Sequence, residues 1–546
     1  MQKITINGIT KEYKSPVRLL DLIDDPEKNY PVAKVNNRLR ELHYRFSNDA
    51  TVEFLSLDDP EAVLVYEASL RYLISKALDN LYPDYKLKFK YSISRSTFCY
   101  IMTEPHDSMN VVIPRLLTEM YRIVEADYKF ERIKVSQAEA KKLYESRDDI
   151  DRINILQYRP EKTVHFYRCN DYKNYFYSYM VPSAGYIKDF NLIPYDVGFL
   201  IQYPRAEKDA NIPRFKDAPK YLETLRAASV WADVVRADNI YDLNQHVEND
   251  KVVDFVHMCE AKHNAMLTEI GDLIKNSPNP ISLIAIAGPS SSGKTTFSNR
   301  LRIELMTRGI RPVTISLDDY YLNREDLVED ENGDVDLEHI NTLDVELFNQ
   351  NMQDLINGKE AMIPRFNFTT VKRDGYVPLK IDDETPIIIE GIHALNSLMT
   401  KSIPKERMFK IFISPQLQLN LDNYNPISIT NVRLIRRIVR DYKFRNASAL
   451  RTLGMWDSVR QGEFRWIYPN QEHADYVYNS GLQYELNVLK KYALPTLKEI
   501  PEDSPYYITA NRLIKFMKYF VDIKDSKVPN NSLLREFIGG SVFTNE

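Results

Sequence analysis

Apolar residues recur along this chain with two distinct periods, and the period changes with position. Residues 3–6 and 9–13 are apolar-alternating runs that flank Asn7-Gly8. That pair predicts a tight hairpin, because a type I′ turn needs positive φ at both central positions. Residues 17–23 read as a short helix, and 32–35 and 51–55 as strands. Over 62–82, Val65, Leu70, Leu73, Ile74, Ala77, Leu78 and Leu81 fall on one helical face that Pro83 ends. Alternation returns at 87–93 and 98–102, a long polar helix-prone region follows around 108–150, and aromatics crowd 164–202. Residues 226–275 read as a helical connector. From about 276, short apolar strands alternate with helices, which is an α/β pattern. Residues 491–546 read as helices with loops.

Composition changes this picture in one place. The 546 residues contain only 16 glycines. Ten of them lie in 276–490, at Gly288, Gly293, Gly309, Gly333, Gly358, Gly375, Gly391, Gly454, Gly462 and Gly481. The α/β part is therefore where the backbone is expected to do something special. A net charge of −5 excludes a chain built wholly to coat nucleic acid, while leaving room for a local basic patch. Cys99, Cys169 and Cys259 are too widely spaced for a disulfide framework or a zinc ribbon, and a reducing, cytoplasmic setting is expected. The first residues lack a signal-peptide core, and no apolar run approaches the ~18–20 residues of a membrane helix.

The sharpest chemical signal is Gly288-Pro289-Ser290-Ser291-Ser292-Gly293-Lys294-Thr295, followed by Thr296. Such a loop turns backbone N–H groups toward phosphate oxygens at the positive end of a helix. The lysine neutralises the β/γ-phosphates and the threonine hydroxyl ligates Mg²⁺. A buried-strand run at 281–287 precedes it, and Phe297, Leu301 and Leu305 follow at helical spacing up to Gly309. ATP and Mg²⁺ are the expected cofactors.

Three further features belong to this part. The strand at 312–317 ends in Asp318-Asp319-Tyr320-Tyr321. A carboxylate at such a strand end can accept a proton from an attacking hydroxyl, although an isolated Asp-Asp pair also suits a solvated turn. The strand at 386–390 ends in Glu390, placed to hold Mg²⁺ or to serve as a helix cap. After a fourth strand at 408–413, Arg433, Arg436, Arg437 and Arg440 share one helix face with no offsetting acid before Asp441. That face predicts a lid closing on triphosphate, with a solvated basic face as the alternative.

On these motifs, residues 281–480 resemble the uridine kinase/phosphoribulokinase family. The resemblance implies Asp318 as general base, Tyr321 and Glu338 at the acceptor, and Phe366 and Phe368 near its base. It also implies Glu390 with Thr295 at the metal, and Arg437, Arg440 and Arg445 as lid arginines, Arg437 also touching acceptor. Two positions depart from the family: Val371 stands where a pyrimidine-reading histidine is expected, and Glu338 is one methylene longer than the usual ribose-holding Asp.

The first 58 residues resemble a TGS domain, a β-grasp fold. Residues 62–225 are similar to the second domain of threonyl- and alanyl-tRNA synthetases, which edits mischarged tRNA. Here Ala68 and Tyr72 stand at the helix's two histidine positions, and residues 176–180 replace its Cys-and-His run, so an intact editing hydrolase is not expected.

The expected organisation is a β-grasp domain at 1–60, an α+β synthetase-editing-like module at 61–225 and a helical connector at 226–275. An α/β P-loop kinase domain at 276–490, a parallel sheet flanked by helices, and a helical extension at 491–546 complete it. The expected activity is transfer of the ATP γ-phosphate to a nucleoside 5′-hydroxyl. The alternatives are an RNA-associated regulatory NTPase, with Lys86, Lys88, Lys90 and Arg95 as a phosphate-binding strip, and a sugar-phosphate kinase. A small-molecule substrate, tRNA or RNA contact and a homo-oligomer are the expected partners.

Overall fold

The computed structural model describes all residues except 26–27, 104–106, 328–335, 337, 368–369, 371, 402 and 544–546. In the C-terminal half, five strands form one parallel sheet. Their spatial order is Val313–Ser316, Ile387–Glu390, Leu283–Ala287, Met408–Ser414, Tyr476–Asn479. The central strand is buried along its whole length. Its residues divide by parity. Ile284 and Ile286 join one apolar cluster, and Leu283, Ala285 and Ala287 join another. A period-two split with both sets apolar is what a sheet covered on both faces requires. Helices Lys294–Met306, Val345–Ile356, Ile429–Phe444 and Glu485–Lys498 follow in the same half.

The N-terminal half is built differently. Residues 2–55 form a five-stranded mixed sheet in which Gln2–Ile6 pairs antiparallel with Ile9–Tyr13 and parallel with Ala50–Leu55. Asn7 and Gly8 both have positive φ, +50° and +79°, as the hairpin signal requires. The expected helix at 17–23 is instead a two-residue strand, Val17–Arg18, followed by a single 3₁₀ turn, Leu19–Leu22. Its short apolar run carries no periodicity that separates the two, and pairing with Arg45–Phe46 decides for strand.

Helix Pro60–Leu81 starts as its sequence dictates, with Asp59 accepting from Glu61 N at 2.7 Å and proline in the first turn. It is buried nearly all round, against a four-stranded antiparallel sheet that includes Leu87–Ile93 and Ser96–Ile101. The polar region around 108–150 is not wholly helical: Glu131–Ser136 is a strand pairing with Thr163–Cys169.

One apolar cluster joins the halves. It runs from Tyr144, Ile155 and Phe166 through Phe255 and Ile270 to Ile284, Ile413, Leu489 and Phe537. A polar contact joins them as well. Phe89 N donates to Asn423 O at 2.9 Å, and Asn420 Nδ2 donates to Phe89 O at 2.8 Å. At its centre Arg152 and Asp422 are both buried, 3.9 Å apart, and the guanidinium lies 4.0 Å from the Tyr424 ring centre.

Candidate active site

The central strand delivers Gly288 to the carboxyl edge of the sheet, where a Cβ would overlap the Ile413 carbonyl oxygen. Gly293 turns the chain into helix Lys294–Met306 with φ +91°, a conformation that favours glycine. Lys294 Nζ curls back over the loop and donates to Gly288 O at 3.1 Å. The Ser291 and Ser292 hydroxyls are buried and have no hydrogen-bond partner. Three arginines from helix Ile429–Phe444 hold the loop from behind. Arg433 Nε donates to Ser290 O at 3.1 Å, Arg436 Nη1 to Ser291 O at 3.3 Å, and Arg437 Nη1 to Ser290 Oγ at 2.9 Å. Two loop carbonyls are thereby tied to guanidinium groups, in a loop whose N–H groups suit anions.

Two acids meet below the loop. Ser316 and Glu390 are register partners on neighbouring strands, and Ser316 Oγ donates to Glu390 Oε1 at 2.9 Å. Burial, with Asp318 nearby, pushes the Glu390 carboxyl up to about 7, against Lys294 and the Ser316 bond. Asp318 is held up by burial and pulled down by Lys294 and Arg445. Its neighbour Asp319 faces elsewhere: it accepts from Arg365 Nη1 at 2.9 Å and Phe366 N at 3.2 Å. The adjacent acids therefore divide, one near the lysine and one fastening the hairpin of Ala361–Asn367 and Lys372–Leu379.

That hairpin and the strand end form a wall. The Tyr321 and Phe366 rings lie 5.7 Å apart. Burial raises the Tyr321 phenol well above its usual range, and Asp318 and Glu338 add to this. The Glu338 carboxyl is pushed up to about 7, by burial first and then Glu463, while Arg437 and Lys294 oppose. The Glu338 carboxyl thus stands within electrostatic reach of Asp318, Lys294 and Arg437. Phe368 and Val371 lie outside the described residues.

Of the four arginines expected to share one lid face, two are consumed inside the protein. Arg433 and Arg436 are buried, and each pairs with an acid far away in sequence. Arg433 Nη1 donates to Glu463 Oε2 at 3.0 Å, and Arg436 Nε to Glu485 Oε1 at 2.8 Å. They serve the loop's geometry. Arg437, Arg440 and Arg445 converge on Asp441 at 3.2, 2.7 and 3.7 Å. Sequence reasoning missed Glu463 and Glu485, and no local pattern marks them; Glu463 opens a π-helical turn that ends at Ile467. It also missed Glu536, which accepts from Thr296 N at 3.0 Å.

Residues 283–486 match the family described as "Phosphoribulokinase / Uridine kinase family". The C-terminal half therefore carries a kinase domain of this family. The uridine kinase of Staphylococcus aureus is 28% identical over 200 residues, which span 36% of this chain and 87% of that protein. The threonine–tRNA ligase of Acetivibrio thermocellus is 26% identical over 199 residues, or 35% of this chain, and the likeness falls on the N-terminal region. The chain spans only 31% of that ligase's length. Among solved structures, a possible uridine kinase from Bacillus stearothermophilus is 17% identical with TM-score 0.28, covering 40% of this chain and 98% of that one.

In the region outside the kinase domain, Ala68 and Tyr72 are both fully buried. Tyr72 donates its hydroxyl to Tyr167 O at 3.0 Å, and its ring meets Phe176 edge-on at 5.7 Å. An alanine and a packed tyrosine thus fill the two histidine positions, and Phe176 of the 176–180 run packs against that tyrosine. The basic strip is likewise consumed: Lys86 pairs with Asp148, Lys88 with Asp238, and Arg95 with Glu207, while Lys90 donates to Ser229 Oγ. Among the described residues no helix is long and apolar enough to cross a membrane, and no three His, Cys, Asp or Glu gather as a metal cluster.

Proposed function

We propose that this chain is an ATP-dependent phosphotransferase acting on the hydroxyl of a small molecule, with a nucleoside 5′-hydroxyl as the first candidate. The observation that carries this reading is that Asp318, in the turn after the strand that pairs with Glu390, stands within electrostatic reach of Lys294, Tyr321 and Glu338. Asp318 accepts the proton of the acceptor hydroxyl as that oxygen attacks the γ-phosphorus. Residues 288–296 hold the donor phosphates. Lys294, Arg437, Arg440 and Arg445 stabilise the charge spread over the transferring group. Glu338 hydrogen-bonds the acceptor's hydroxyls, and Tyr321 and Phe366 pack on its ring.

Thr295 and Glu390 suit Mg²⁺, which commonly takes one or two protein oxygens and leaves its other positions to water and phosphate. The ion would neutralise charge between the β- and γ-phosphates. The three buried free cysteines suit a reducing compartment.

The test is ADP release with a panel of nucleosides and sugar phosphates, with and without tRNA, in wild type and Asp318→Ala. The reading expects turnover that depends on one class of small alcohol and falls at least about 10³-fold in the variant. Turnover stimulated by RNA and by no small alcohol would sink it. That outcome would support an RNA-associated NTPase, a reading to which the N-terminal likeness to a tRNA ligase gives some weight.

A further inference from the structure

The phosphate loop is engaged by this chain's own C-terminus. Leu533 packs on Gly293 so closely that a Cβ there would overlap its side chain. Three residues on, Glu536 Oε2 accepts from Thr296 N at 3.0 Å. Leu533, Leu534, Phe537 and Ile538 are buried, while Glu536 itself is only half-buried. Further contacts anchor the segment. Ser532 Oγ donates to Glu260 Oε1 at 2.5 Å, Lys443 Nζ donates to Ile538 O, and the Arg436 guanidinium lies 5.0 Å from the Phe537 ring centre.

The first N–H groups of a helix have no intrahelical partner, and an ordinary N-cap comes from the residue just before the helix. Gly293 has no side chain to supply one. The cap arrives instead from 240 positions away, as a carboxylate on a helix end suited to phosphate oxygens. Glu536 also helps to raise the Glu390 carboxyl, so its charge is felt at the acid below the loop. A carboxylate on that N–H stands in for a phosphate oxygen and repels the polyphosphate that would replace it.

We propose that residues 532–541 are an autoinhibitory latch, in which Glu536 competes with the α-phosphate of a nucleoside triphosphate or diphosphate for Thr296 N–H. The inference rests on the nucleotide-binding reading above. Binding of nucleotide releases Glu536, loosening the segment anchored around it. By linkage, whatever holds the segment down weakens nucleotide binding by the same factor.

Two measurements on the full chain test the latch. The first is the affinity of Mg-ADP for wild type, Glu536→Gln and Lys294→Ala. The second is amide exchange in residues 532–541 of wild type with and without saturating Mg-ADP, which needs no variant. Removing a charge-assisted acceptor should tighten Mg-ADP binding roughly tenfold in Glu536→Gln, and exchange in 532–541 should speed up when nucleotide binds. Equal or weaker binding by Glu536→Gln, or unchanged or slowed exchange, overturns the latch while Lys294-dependent binding leaves the kinase reading standing. Absence of Mg-ADP binding in both wild type and Glu536→Gln overturns the latch and the nucleotide reading together.

Discussion

Gly462 faces Glu338 with no side chain, and a Cβ at Gly462 would overlap the Cβ of Glu338. The glycine ends helix Ala449–Gly462 and has ordinary helical φ, so its role here is space and not backbone freedom. Glu338 is also fixed through its carbonyl, which accepts from His393 Nε2 at 2.9 Å. Gly462→Ala should push Glu338 out of place and raise the acceptor KM by about tenfold or more, with a smaller change in kcat. Steady-state kinetics at saturating ATP checks this; an unchanged KM would remove Glu338 from the acceptor site.

Glu390 gives a pH signature. Its carboxyl is raised by burial to about 7, above the ordinary glutamate value expected in the unfolded chain. The folded state therefore binds the proton more tightly, and this group's contribution to stability falls as pH rises through that window. Several histidines act in the opposite sense; His393, for instance, is lowered by burial to about 4. The difference between wild type and Glu390→Gln removes the histidines from the comparison and reads Glu390 together with Asp318, whose charge interacts with it. The two should melt alike near pH 5, and the variant should gain on wild type up to about pH 8, measured by thermal unfolding without nucleotide. A constant difference across the range would refute the assignment.

The Glu463 carboxylate serves two guanidiniums, Arg433 and Arg460, inside the protein. Removing one partner of a buried pair leaves an uncompensated charge and costs about 3–5 kcal/mol. Glu463→Gln leaves both arginines without their carboxylate, though Tyr468 and the Ser290 carbonyl still accept from them, and should cost about 3 kcal/mol, the low end of that range, by denaturant unfolding. Arg433→Met leaves Glu463 still paired with Arg460 and should cost less. The reverse order would show that Arg433 alone carries the network.

Arg152 and Asp422 test how the halves are joined. Asp422 accepts from Tyr424 N and Asn425 Nδ2, both at 2.8 Å, and burial raises its carboxyl against the pull of Arg152. Arg152→Met should cost about 3 kcal/mol near neutral pH. The loss should shrink toward pH 5, because the unpaired carboxyl then takes up a proton, and Asp422→Asn in the same chain should restore part of it. Thermal unfolding of the single and double variants at two pH values reads this directly.

Much of the site was legible because its chemistry is local. The phosphate loop is eight consecutive residues between a buried-strand run and a helix. Glu390 ends an apolar strand and Asp318 sits in the 3₁₀ turn just past the end of the neighbouring one, and a parallel sheet brings such ends to one edge. Asn7-Gly8, Pro83 and Gly309 punctuate the chain where their backbone preferences say they must. What stayed hidden depends on partners far away in sequence. Helical spacing puts Arg433, Arg436, Arg437 and Arg440 on one face, yet it cannot say that Glu463 and Glu485 arrive to neutralise the first two. Lys88 reads as a surface cation until Asp238 is brought against it.

The sequence alone determined most of the long elements, the phosphate loop and the acids at or just past the strand ends, since each follows from residue type and short-range spacing; the strands at Val17–Arg18 and Glu131–Ser136 needed their pairing partners. Only the tertiary structure decided which charges are free and which are consumed, that Asp319 faces the hairpin while Asp318 lies near Lys294, and that Glu536 reaches Thr296. The reason is physical: local spacing fixes backbone conformation, whereas burial and ion pairing depend on groups that meet only when the chain is packed.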